Sequence, residues 1–175
     1  MIIVVMGVTG VGKTTIGSAL AQRLAYAFED ADSYHSPSNI EKMSHGIPLT
    51  DADRMPWLES MHRMLQEYAA RDHGVVLACS ALKQSYRDIL GKDMVITWIY
   101  LKATAEAIRE RIEQRHGHFA KEDLLKSQFD TLEEPQGVIV VNANPPEEQV
   151  VAEAVAKLSA EKGANAESSV RPEGR

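Results

Sequence analysis

A chain of 175 residues with 44% hydrophobic and 25% charged residues has the size and composition of one globular domain with a core of its own. A net charge of −6 excludes a nucleic-acid binder held by a broad basic surface, and a single cysteine excludes an intramolecular disulfide and fits a reducing compartment. The apolar start is too short for a membrane span and lacks the basic flank of a signal peptide, so the expected address is the cytoplasm, with no membrane partner.

In chain order, Ile2–Met6 is a short, continuous apolar run, as strands covered on both faces of a parallel sheet are. A helix follows, with Ile16, Leu20 and Leu24 on one face. A weaker strand is predicted at 27–29. Residues 33–50 are polar, hold Pro37, Gly46 and Pro48, and read as a substrate-side flap or a plain surface loop. Thr50 with Asp53 three positions on reads as the N-cap of a helix carrying Trp57, Met61, Leu65 and Tyr68 on one stripe and stopping near Gly74. Strands are predicted at 75–79, 95–101 and 138–141. Between the last two, a helix from about Thr104 faces Ile108 and Ile112 inward, and 115–121 reads as a lid or a simple loop around Gly117. A final helix opens at Pro145-Pro146-Glu147-Glu148 and carries Val151, Val155 and Leu158. Residues 1–160 form the domain, and 161–175 read as a frayed polar tail.

The segment between the first strand and the first helix, Gly7-Val-Thr-Gly-Val-Gly12-Lys13-Thr14, matches the phosphate-binding loop G-x-x-x-x-G-K-[ST] in the strand-loop-helix setting that motif needs. Gly7, Val8, Thr9, Gly10, Val11, Gly12 and Thr15 frame the loop, Lys13 reaches the β- and γ-phosphates of ATP, and Thr14 reaches Mg²⁺. The fold expected is therefore a P-loop, three-layer α/β domain with a five-stranded parallel sheet flanked by helices. Asp30 and Asp32 follow the weak second strand, at the sheet edge where ligands bind. As alternate residues they can face the loop together, one serving Mg²⁺ through water and the other accepting a proton from a hydroxyl; a polar turn with solvated acids reads equally well. Arg111 and Arg115 share a helical face and can close over transferring phosphate, or lie on a solvated face. Arg54, a cation in a first helical turn, sits against the dipole and so suggests an anionic ligand. Ser80 and Lys83 follow the strand at 75–79, where a serine-capped turn is the simpler reading. Cys79 reads as an inert buried thiol, Trp57 and Trp98 as core, and none of the six histidines has zinc-site spacing.

Several segments resemble the gluconokinases of the shikimate-kinase-like P-loop kinases: the phosphate loop, Asp30-Ala-Asp32, Asn39-Ile-Glu-Lys-Met43, Gly46-Ile-Pro-Leu49, Asp51-Ala-Asp-Arg-Met-Pro-Trp-Leu58, Cys79-Ser-Ala-Leu-Lys83, Tyr86-Arg-Asp88, Arg115-His-Gly-His-Phe119 and Gln128-Phe-Asp-Thr-Leu-Glu-Glu-Pro135. The resemblance covers the chain to about Leu158. It implies transfer of the ATP γ-phosphate to the 6-hydroxyl of gluconate. In that scheme Asp32 is the base or orienter, and Asp30 and Thr14 lie at the metal. Arg54 binds the sugar acid, and Ser80, Lys83 and Arg87 line its pocket. Arg115 and Arg111 act from the lid beside His118, and Asn144 lies by the adenine. It also implies a homodimer. Two positions depart from the family pattern: Val11, which lacks a hydroxyl beside the phosphates, and Gly91-Lys92, where relatives place a basic residue one position earlier. The rival readings are a kinase of the same fold for shikimate or a nucleoside monophosphate, and an ATP-binding switch without an acceptor.

Overall fold

A computed structural model describes residues 1–116 and 122–168, with side chains described for 1–113 and 124–163. Five strands, β1 (Ile2–Met6), β2 (Ala27–Asp30), β3 (Val75–Ala78), β4 (Ile96–Lys102) and β5 (Ile139–Asn142), form one parallel sheet in the order β2-β3-β1-β4-β5. The helices are α1 (Lys13–Leu24), α2 (Pro37–Ser44), α3 (Asp51–Ala70), α4 (Gln84–Leu90), α5 (Ala105–His116), α6 (Glu122–Thr131) and α7 (Glu147–Ser168), with a 3-10 turn at Ala31–Tyr34.

Every residue of β1 is buried, and the pleat divides them between two cores. Ile3 and Val5 face a core shared with Ile16 and Leu20 of α1, Ile108 of α5, Leu125 of α6 and Val151 and Leu158 of α7. Ile2, Val4 and Met6 face the other, shared with Trp57, Leu58, Met61 and Leu65 of α3 and Tyr86 and Leu90 of α4. Helices on both faces are what turn an alternating strand into a continuous apolar one. Each wholly buried large aliphatic side chain here contributes about 1.5–3 kcal/mol.

The expected strands stand, with small shifts. Val95 is 91% exposed and precedes β4, and Cys79 lies just past β3, although its N–H still donates to the Val5 carbonyl at 3.0 Å. Three expectations need correction. Residues 33–50 are not simply a loop: Ser36 caps α2, accepting from Asn39 N at 3.2 Å, and Pro37 occupies the first turn, where its missing N–H does no harm. Helix α6 was not anticipated. Helix α7 runs to Ser168, through the first part of the expected tail, because small and polar residues can extend an established helix without a core to face. Among the described residues no helix is long and apolar enough to cross a membrane.

The start of α3 is held by a reciprocal cap. Thr50 Oγ1 accepts from Asp53 N at 3.2 Å, and Asp53 Oδ2 accepts from Thr50 N at 2.9 Å. Helix α2 is pinned to the same turn, with Lys42 Nζ donating to Asp53 Oδ1 at 2.7 Å and Asn39 Nδ2 to the Asp53 carbonyl at 2.9 Å. Lys42, and then the Thr50 donors, hold the Asp53 carboxyl down to about 2, below its ordinary 3.8. A carboxyl held low contributes its stability above the ordinary range and loses it as pH falls toward about 2, so this junction weakens only in acid. Thr50→Ala is expected to lower stability at neutral pH by about 1 kcal/mol in urea unfolding, and an unchanged midpoint would show that the cap contributes nothing.

Candidate active site

Among the described residues, the carboxyl ends of β1, β2 and β3 lead into the phosphate loop, into Asp30 and Asp32, and into the turn with Ser80 and Lys83, where an open α/β sheet places a ligand site. After β1 the backbone turns through Gly7, Gly10 and Gly12 at φ of +149°, +76° and +99°. A Cβ on Gly10 would stand 2.9 Å from Ile108 Cγ2, and one on Gly7 would stand 2.9 Å from the Leu101 carbonyl, so the loop lies against α5 and β4 as closely as glycine permits. The Val11 side chain is only 2% exposed and packs into the core below the loop. Gly12 gives α1 no side-chain cap, and the first turn carries no acid. Its leading N–H groups and the positive end of its dipole are thus left for an anion.

Lys13 Nζ donates to the Val8 carbonyl at 2.9 Å. Burial lowers the pKa of its ammonium, against the pull of Asp32 and Asp30. Thr14 Oγ1 donates to Asp30 Oδ2 at 2.8 Å, and Asp32 N donates to Asp30 Oδ1 at 3.0 Å. A hydroxyl and a carboxylate side by side are hard oxygen donors suited to Mg²⁺, which takes few protein ligands and keeps waters and phosphate oxygens. Among the described residues no group of three or more His, Cys, Asp or Glu side chains could hold a metal. Asp32 stands exposed on the 3-10 turn, whose placement is fixed from below. Trp57 Nε1 donates to the Ala31 carbonyl at 2.7 Å, and the Tyr34 and Tyr68 hydroxyls both donate to Glu29, at 2.8 and 2.9 Å. Trp57 is core, as expected, yet it also pins the turn that presents Asp32, and His35 stacks on its ring at 4.5 Å. Burial pushes the Cys79 thiol up to about 12, which makes it the inert group expected.

On the far side of the cleft Arg54 and Lys83 flank Tyr86, 5.9 and 5.5 Å from its ring centre. Lys83 Nζ donates to both carboxylate oxygens of Asp51 at 2.9 Å, and the Tyr86 hydroxyl donates to the same carboxylate in a short bond. Tyr86 and then Lys83 lower the Asp51 pKa, and Asp51 in turn raises that of Lys83, so this pair is charged at neutral pH. Arg54 uses Nη1 for the Leu49 carbonyl at 2.7 Å and the Tyr86 hydroxyl at 3.4 Å. Among the described residues the rest of its fork has no acceptor, which leaves two parallel donors for a carboxylate. Ser80 is half-buried on the turn between β3 and Lys83.

Arg87 lies elsewhere than in the cleft where the resemblance puts it. It is 5% exposed, and its guanidinium is committed to protein acceptors. Nη1 donates to the carbonyls of Ala81 at 2.8 Å and Leu82 at 3.1 Å, Nη2 to those of Glu133 and the Gln84 side chain, both at 2.9 Å, and Nε to Gln84 Oε1 at 3.2 Å. It underlies the turn that bears Ser80 and Lys83. That turn needs support, since Ala81 adopts φ +43°, a conformation an L-residue disfavours.

The nucleotide side is a groove of about 110 Å³ between the phosphate loop, Thr15, Arg111 and the segment after β5. Arg111 Nη2 donates to the Asn144 carbonyl at 2.8 Å, and Asn144 Oδ1 accepts from Thr104 N at 3.2 Å. A larger cavity of about 480 Å³, between α4, β4 and residues 135–138, touches none of the phosphate loop. The loop motif, not cavity size, decides which is the site. His118 lies outside the described residues, as does the side chain of Arg115. Sequence reasoning gave no role to Asp51, Tyr86, Gln128 or Glu133. Their only signal was membership of the segments that carry the family resemblance, because each acts through a partner far away in the chain.

The family model for shikimate kinase matches residues 9–159. The chain is 45% identical over 163 residues to a gluconokinase of Gluconobacter oxydans, covering 91% of this chain and 92% of that one. It is 41% identical over 159 residues to the thermoresistant gluconokinase of Escherichia coli, covering 88% and 91%. A solved gluconokinase from Sinorhizobium meliloti superposes with a TM-score of 0.86 at 40% identity, covering 97% of each chain.

Arg87→Lys keeps the charge but supplies three donors where five are in use, stranding buried carbonyls. It is expected to cost roughly 2–3 kcal/mol in urea unfolding, and a loss below about 0.5 kcal/mol would show that water replaces the guanidinium.

Proposed function

The chain belongs to the shikimate kinase family and, within it, to the gluconokinases, and from that premise we propose that it transfers the γ-phosphoryl group of ATP to the 6-hydroxyl of D-gluconate. The observation that carries this reading is the pairing of an uncapped phosphate loop with a cationic wall, Arg54 and Lys83, on the acceptor side. A polyol with a terminal carboxylate matches that wall: the carboxylate meets the open fork of Arg54, and the hydroxyls meet Lys83 and Ser80.

The phosphates lie on the N–H groups of residues 7–15, with Lys13 on the β- and γ-phosphates and the adenine in the groove by Arg111 and Asn144. Thr14, with Asp30 behind it, would hold Mg²⁺, whose charge would offset that of the β- and γ-phosphates. Asp32 accepts the proton of the acceptor hydroxyl as its oxygen bonds to the γ-phosphorus in line. The bond to the bridging oxygen breaks and ADP leaves. Little covalent help is needed, because positioning and fixed positive charge lower the barrier. Arg115 and His118 complete the site from 115–121, Arg87 supports the acceptor turn, and the protein works as a homodimer in the cytoplasm.

Release of ADP from Mg-ATP is expected to be stimulated by gluconate and not by shikimate or AMP. Stimulation by either of those alone would move the reading to another acceptor, and stimulation by none would leave a nucleotide-binding switch. Lys13→Ala is expected to fold and to lose about a hundredfold or more in kcat. Asp32→Asn should depress kcat with ATP affinity unchanged, and Arg54→Ala should raise the KM for gluconate and leave that for ATP; the reverse pattern at Arg54 would put it on the nucleotide side.

A further inference from the structure

The peptide unit between Val8 and Thr9 is held at both ends. Its carbonyl accepts from Lys13 Nζ at 2.9 Å, and its N–H donates to Gln128 Oε1 at 2.6 Å, across 119 positions of sequence. In a trans peptide the C=O and N–H lie in one plane and point in opposite directions, so Lys13 and Gln128 hold opposite edges of one rigid unit. The ammonium, the peptide and the carboxamide form a continuous hydrogen-bond chain in which each link polarises the next. We propose that Gln128 is a positioning residue for Lys13, acting through the Val8–Thr9 peptide.

Lys13 has three N–H donors. The one on Val8 O fixes the direction of the ammonium and leaves two for the β- and γ-phosphate oxygens. That carbonyl is a useful anchor only if its plane cannot turn, and neighbouring Gly7 and Gly10 give the loop little stiffness of its own. Gln128 supplies the stiffness from outside. It can do so because α6 is itself fixed: Leu125 is buried in the core shared with α1 and α5, Phe129 packs on it, and Gln128 lies on that same face, three positions after Leu125. Without the carboxamide the half-buried Thr9 N–H lacks its acceptor and the peptide is free to rotate, carrying Val8 O away from the ammonium.

The proposal rests on the kinase reading only for its kinetic arm, because nucleotide binding can be followed without an acceptor. Gln128→Leu removes the acceptor at similar volume, and Gln128→Glu keeps one. For Gln128→Leu the dissociation constant of Mg-ATP, measured by calorimetry without acceptor, is expected to rise, and kcat/KM for ATP to fall about tenfold while the KM for gluconate stays within about twofold. Gln128→Glu should recover most of the loss. ATP binding within about twofold of wild type in Gln128→Leu would overturn the proposal, as would a Gln128→Glu no better than Gln128→Leu, or equal losses for both substrates accompanied by a lowered melting temperature. If Gln128→Leu does not fold, Gln128→Met, which keeps the length without a strong acceptor, takes its place with the same criteria. Wild-type protein that binds Mg-ATP but ignores gluconate would count against the acceptor assignment and leave the binding comparison intact.

Discussion

An α-helix whose first turn lacks a side-chain cap leaves several backbone N–H groups without partners, and α1 begins in that state at Gly12. Most helices avoid this, and in the same chain Ser36 caps α2 and Thr50 caps α3. At α1 the uncapped start is free to receive an anion, and the surrounding structure keeps it open. The loop must curl back over the helix start, so it needs positive φ at Gly10 and Gly12. It must also lie flat on Leu101 and Ile108, which leaves no room for side chains at Gly7 and Gly10. A strand buried on both faces then fixes where the loop starts, and the inward stripe of α5 fixes where it rests.

The acceptor side follows the opposite rule. There, polar groups are paired before any ligand arrives: Asp51 with Lys83 and Tyr86, Asp53 with Lys42 and Thr50, Arg87 with three carbonyls and a carboxamide. Such pairing holds long side chains in place, so less ordering is left to occur on binding. Arg54 is the half-engaged member, anchored by Nη1 and open beyond it. In a chain of net charge −6 whose lysines here are paired with Asp51 and Asp53, Arg54 is a local device for an anion and not a property of the whole surface.

The strands and the phosphate loop were legible because their signals are local: unbroken apolar runs, a glycine spacing, a lysine and threonine at a helix start. Asp30 closes β2 beside Thr14, as its place after a weak strand suggests, but Asp32 lies on a 3-10 turn and not in the extended segment that alternation assumes; Thr50 is the cap that its partner three positions on signals. Helix α2 was hidden by Pro37, Gly46 and Pro48, although Ser36-Pro37 is itself a helix-start signal. Helix α6 was missed because it is held mainly by Leu125 and Phe129 and by partners distant in sequence, and its own pattern is short. Arg87 was misplaced for a related reason. The family resemblance implies a ligand for it, whereas its acceptors are three main-chain carbonyls and the Gln84 carboxamide, which no local pattern reveals.

These long-range bonds also tie the two halves of the cleft to one short stretch, the end of α6 and the residues just after it. At the nucleotide end Gln128 of α6 grips the phosphate loop through Thr9 N. Little more than a turn later, Glu133 grips the acceptor turn three times: its N–H donates to the Leu82 carbonyl at 2.9 Å, its own carbonyl accepts from Arg87, and its carboxylate accepts from Gln84 N. Phosphoryl transfer gains most of its rate from holding donor and acceptor at a fixed separation, where a displacement of about 1 Å can cost two orders of magnitude. Here that separation does not depend on the sheet alone. Residues 128–133 bond both to the phosphate loop and to the turn that bears Lys83, so a change that loosened this stretch would reach both sides of the cleft with every residue on them intact.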